Sequence, residues 1–142
     1  MKIKNGQIDF YTRWLLNQLK LAGKKNRMRM KFLEILAARG EELRKYHLQL
    51  LKEHCSLDEQ GNPVIVQAEG EQRRYEVMDE LAFEQDFREL LEEAFTIEEN
   101  EENKEMLLVL KESIEECPET WAGEAAIEYE QICKLFDTIY EE

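Results

Sequence analysis

Apolar residues recur along this chain at helical spacing in several separate runs, interrupted once by a stretch of different character. In the first run Ile8, Tyr11, Leu15 and Leu19 share one stripe that Leu16 widens. This predicts an amphipathic helix over residues 8 to 21, ended by Gly23. Phe32, Leu36, Leu43 and Leu50, with Leu33, Tyr46, His47 and Leu51 beside them, predict a longer second helix over about residues 27 to 54. The short basic connection Lys24-Lys25-Asn26 favours an antiparallel pair, with Gly40 a weak point in the longer helix.

The pattern changes at Leu57-Asp58-Glu59-Gln60-Gly61-Asn62-Pro63, which is dense in turn residues and precedes the β-favouring run Val64-Ile65-Val66. Gln72-Arg73-Arg74-Tyr75-Glu76-Val77 supplies a second short strand after Ala68-Glu69-Gly70-Glu71. A small β-hairpin is therefore expected over residues 63 to 78, leaning on helices because two strands alone are marginal. Asp79 is placed to cap a third helix carrying Leu81, Phe83, Phe87, Leu90, Leu91 and Ala94 on its apolar face and ending near Thr96. Met106, Leu107, Leu110 and Ile114 mark a fourth helix stopped by Pro118. Ala125, Tyr129, Ile132, Phe136 and Ile139 mark a fifth, with Trp121, Ala122, Cys133 and Tyr140 beside the stripe. The expected fold is one mainly α domain of about five amphipathic helices and one small β-hairpin, with a basic helical pair at 8–54 and acidic helices at 79–142.

Length and composition agree with that reading. At 142 residues and 43% hydrophobic content, one domain can bury a core without disulfides or metal. Cys55, Cys117 and Cys133 are odd in number and widely spaced, which suggests neither a disulfide framework nor a thiolate metal site, and fits a reducing cytosol. The opening residues are basic but no signal-peptide run follows, and charges interrupt every apolar stretch, so neither export nor a membrane span is expected. Net charge is -13, yet residues 1–54 carry 13 Lys and Arg against 5 Asp and Glu, whereas residues 55–142 carry 6 against 27. Such polarity suits either two partner-facing surfaces of opposite sign or a bundle whose halves attract each other.

The opening Lys2-Ile3-Lys4-Asn5-Gly6-Gln7-Ile8 resembles the start of an uncharacterised family of short phage and prophage proteins from Gram-positive bacteria. The order of features is similar too: a second charged helix, a turn like residues 57–63, and an acidic helix like Phe83-Glu84-Gln85-Asp86-Phe87-Arg88-Glu89-Leu90-Leu91-Glu92-Glu93. The resemblance covers about residues 2–97, and the two last helical stripes depart from the family pattern. It implies a phage origin and assigns no activity or functional residue.

Residue chemistry points away from catalysis. His47 and His54 lie seven apart, roughly 10 Å along a helix, too far for one ion without a side chain from elsewhere, so no metal site is predicted. Carboxylate pairs such as Glu41-Glu42, Glu92-Glu93, Glu98-Glu99 and Glu115-Glu116 follow from abundance rather than from contrasting environments. His54 and Cys55 are helix neighbours and point apart, and no phosphate loop or serine motif is present, so no cofactor is expected.

Binding features remain. The cations Lys20, Lys24, Lys25, Arg27, Arg29 and Lys31 concentrate around the first helix connection, although the overall negative charge argues against direct nucleic-acid binding. Glu98, Glu99, Glu101 and Glu102 begin an acidic half able to imitate a phosphate backbone. Trp14, at the edge of its stripe beside Arg13, is a candidate contact residue. The expected function is a phage- or prophage-encoded, non-enzymatic protein that binds a host or phage protein and modulates a host process. Alternatives are an acidic antagonist of a host nucleic-acid enzyme, including a defence nuclease, and a virion or tail-assembly accessory.

Overall fold

In the computed structural model, which describes residues 1–66 and 74–139, the chain runs through β1 (Lys2–Lys4), a 3-10 turn (Asn5–Gln7), α1 (Ile8–Gln18), α2 (Gly23–His54), β2 (Ile65–Val66) and β3 (Arg74–Tyr75). It continues through α3 (Glu80–Glu92), β4 (Ala94–Thr96), α4 (Glu101–Glu115) and α5 (Glu124–Phe136). The five expected helices and the hairpin are present. The hairpin tip, expected at Ala68-Glu69-Gly70-Glu71 with Gln72 and Arg73, and the flanking Tyr140 lie outside the described residues.

The 32-residue α2 is the spine, about 48 Å long at the helical rise. It begins at Gly23, earlier than residue 27, because the positive φ of 60° at Gly23 makes the corner that α1 was expected to need at its end. Its first half buries Phe32, Leu33 and Leu36 in one core with Leu15 of α1, Met106, Leu107, Leu110 and Ile114 of α4, and Ile132 and Phe136 of α5. Residues 98–139 thus share the core with the rest of the chain. The Phe32 and Phe136 rings meet at 5.6 Å, so the first and last thirds of the chain close on each other.

The sequence pattern did not suggest a second ladder, in which β1 pairs antiparallel with β4, Ile3 opposite Phe95. The alternation Lys2-Ile3-Lys4 sends Ile3 into the core and both lysines outward. This pairing also explains why α3 stops at Glu92 rather than near Thr96. Asn5, itself buried, donates from its backbone N–H to the Glu93 carbonyl at 2.8 Å and from Nδ2 to the Leu90 carbonyl at 2.8 Å. It thereby takes up orphan carbonyls at the helix end while the chain turns extended. Arg39 Nε donates to Asn5 Oδ1 at 3.0 Å, tying α2 into the same knot.

The starts of α3 and α4 are set by local caps. Asp79 caps α3 by accepting from the Ala82 N–H at 3.1 Å, and Asn100 caps α4 by accepting from the Asn103 N–H at 2.9 Å. In the turn before the hairpin, Asp58 Oδ1 accepts from the N–H groups of Gln60 and Asn62, both at 2.9 Å, and Gly61 takes a φ of 80° that glycine adopts without strain. Among the described residues no helix is long and apolar enough to cross a membrane.

Candidate interaction surface

Beyond the core, the second half of α2 continues outward and carries the hairpin and α3, forming a distal arm. The hairpin is anchored at the end of the spine by the bridge of Cys55 with Val77 and by the Met78 N–H donating to the His54 carbonyl at 2.8 Å, while a bridge of Leu57 with Pro63 closes the turn between them. α3 has the expected amphipathic stripe, yet none of its residues is fully buried. What holds it to α2 is an aromatic seam: His47 lies 4.8 Å from Phe87, His54 stands edge-on to Phe83 at 5.9 Å, and Phe83 stacks parallel to Phe87 at 6.0 Å.

The arm holds most of the apolar surface that the described residues leave exposed. Tyr46, Leu48, Leu57, Ile65, Val66, Tyr75, Met78 and Leu81 all belong to it, with Met78 and Leu81 71% and 76% accessible, whereas only Leu16, Met30 and Ile127 are comparable elsewhere. Isolated exposed leucines are ordinary; here eight of the eleven large apolar side chains left exposed among the described residues fall on one group of elements. Between α2 and α3 runs a groove of about 460 Å³ with Leu50, Leu90 and Tyr46 along it and Glu53, Asp86, Glu89 and Glu93 at its edges. Its one cation, Arg39, is already engaged by Glu42 at 2.8 Å and by Asn5.

The residues singled out in the sequence fare differently. Trp14 is corrected from a surface contact to a core residue: it is 3% exposed and packs against Trp121 at 6.0 Å and Tyr129 at 5.9 Å. The fifth helix, far away in sequence, covers the stripe edge that looked open. Arg29, 8% exposed, turns inward and donates to the Leu15 carbonyl at 3.1 Å and to the Leu19 carbonyl, closing the end of α1, while Asn26 Oδ1 accepts from its Nη2 at 2.6 Å. Lys24 pairs with Glu105, holding that carboxyl below its ordinary range, and Lys25 pairs with Glu116 at 3.7 Å. Lys31 donates to the Glu102 carbonyl at 2.9 Å. The basic connection therefore faces α4 of its own chain in large part, and Arg27 and Lys20 remain exposed. Glu98, Glu99, Glu101 and Glu102 are exposed around the start of α4, where the last two favour the helix dipole.

Cys55 is buried, which pushes its thiol pKa up and disfavours the thiolate, and His54 turns from it toward Asp86. His54 Nε2 and Asp86 Oδ2 are 2.7 Å apart, and a Glu53 carboxylate oxygen lies close by. The required side chain from elsewhere is thus Asp86 on α3, and His47 is instead spent on the aromatic seam. The exposed arm residues escaped the sequence reading because a helical stripe reports amphipathicity without saying whether anything covers it. The one available signal was carboxylate density on α3 next to a weak hairpin.

No protein-family profile, curated protein or solved structure matches this chain.

Proposed function

We propose that this chain is a non-enzymatic binding protein whose contact surface is the distal arm and the α2–α3 groove, and that its partner offers a basic segment with apolar side chains. The observation that carries this reading is the concentration of accessible apolar residues on the arm, Met78 and Leu81 foremost, together with a groove of the same arm edged by four carboxylates. Apolar anchors supply affinity when desolvated, and the carboxylates select sign and register. Phage or prophage origin rests on the resemblance over about residues 2–97, most distinctive at 2–8 and 57–63, whose Asn5, Gly6, Asp58 and Gly61 are explained by backbone geometry; the resemblance assigns no activity, and modulation of a host process is proposed from that origin alone. A family likeness carried by fold-determining positions is compatible with divergent partners.

The antagonist of a nucleic-acid enzyme is the second reading, and it is favoured by the exposed carboxylates Glu98, Glu99, Glu101 and Glu102. Affinity purification of the tagged chain from its bacterial host, at low and high salt and with mass spectrometry of the retained proteins, separates the two. The arm reading expects one retained partner that is lost with M78S/L81S and kept with E98K/E99K/E101K/E102K. The reverse dependence supports the antagonist, and recovery of phage structural proteins alone supports an assembly accessory.

A further inference from the structure

We propose that Glu53, His54 and Asp86 bind a single divalent transition-metal ion, zinc by preference, which staples α3 to α2. One ligand atom from each residue lies within 4.8 Å of the other two, and the closest pair, His54 Nε2 and Asp86 Oδ2, is 2.7 Å apart. Two ligands of a tetrahedral zinc ion sit about 3.3 Å from each other, given bonds near 2.0 to 2.1 Å. His54 and Asp86 need therefore part by only about half an ångström, while Glu53 swings inward. Glu53 is exposed and Asp86, held among the described residues only by His54, is half-exposed, so both carboxylates have room to turn toward an ion.

The imidazole is the fixed element of the site. Its backbone carbonyl accepts from Met78, its ring rests edge-on against Phe83, and its side chain is 17% exposed. The ion takes the place of the Nε2 contact with Asp86, the Nε2 proton passes to solvent on binding, the ring presents Nε2 as a neutral donor, and water completes the coordination from the groove side. An imidazole with two carboxylates is a nitrogen and oxygen donor set that suits zinc over magnesium or calcium, which prefer oxygen alone. Ligands drawn from two elements 32 residues apart make the site depend on the fold. α3, with no fully buried residue, is also the helix with most to gain from a cross-link.

The test uses the full chain after treatment with a chelator, titrated with zinc chloride in a calorimeter and with cobalt chloride in a visible spectrometer. One ion per chain at micromolar affinity, with the d–d bands of four-coordinate cobalt, is expected. H54A and D86N should each weaken binding by at least about tenfold, E53Q by less, and E84Q, an exposed α3 carboxylate outside the cluster, not at all. D86N is isosteric at a half-exposed position and keeps the test valid if circular dichroism shows that H54A disturbs the fold. Absence of saturable binding, binding indifferent to D86N, or equal weakening by E84Q would overturn the proposal.

Discussion

Replacing Arg29 by alanine tests whether this residue is a structural cap or a free cation for an anionic partner. Its guanidinium serves the Leu15 and Leu19 carbonyls at the end of α1 and is itself held by Asn26, all at a residue 8% exposed. A hydrogen bond to a charged donor contributes about 1.5 to 3 kcal/mol, and a buried carbonyl left unpaired costs about 1 to 3 kcal/mol. Water entering at the exposed α1–α2 joint recovers part of that loss, so the net destabilisation is about 2 to 4 kcal/mol. For a chain of this size the melting temperature should fall by about 6 to 12 °C. Urea denaturation followed by circular dichroism reads the change directly, with the slope against urea unaltered because the exposed area is the same. R29K keeps the charge but lacks the planar fork, and should recover half of the loss or less. A change under about 0.5 kcal/mol, or full recovery in R29K, would refute the capping assignment and return Arg29 to the pool of partner-facing cations.

Asn5→Ala should destabilise the chain by about 1 to 3 kcal/mol, measured by the same urea titration, because it strips a donor from the Leu90 carbonyl and an acceptor from Arg39 inside the knot of α2, α3 and β1. M78S/L81S should leave stability within about 0.5 kcal/mol of the parent, since both side chains are accessible, so that any loss of partner capture is a binding effect. Tyr129 donates to the Ile114 carbonyl at 2.7 Å, and burial first, then Cys133, pushes its phenol up to about 12 from 10.0. Its neutral form is favoured in the folded state, so this contribution is complete below pH 10.0 and is lost as pH rises toward about 12, where the unfolded chain has released its proton first. Urea midpoints across that window should fall less steeply for Y129F, and an equal slope would show that Tyr129 is not the group responsible.

Much of the architecture was legible because it is written in local periodicity. The stripes of α4 and α5, the Asp79 cap and the turn through Asp58 and Gly61 depend on residues within a few positions of one another, and the sequence suffices to read them. The sign and placement of charge were equally legible, as a basic first part and an acidic remainder.

Pairings between distant segments were decided by tertiary structure. Nothing near Ile3 announces that Phe95 will lie opposite it, so the β1–β4 ladder and the early end of α3 were hidden. Trp14 looked like a stripe edge because the residues that cover it, Trp121 and Tyr129, arrive from the far end of the chain. For Lys24 and Lys25 the sequence left open a solvated turn, an outside partner or the chain's own acidic helices, and α4 decided it by placing Glu105 and Glu116 against them. His54 found its carboxylate on α3 rather than its histidine on α2. A helical pattern states which face is apolar; long-range packing alone determines which faces are covered, and it leaves Met78 and Leu81 on the arm accessible.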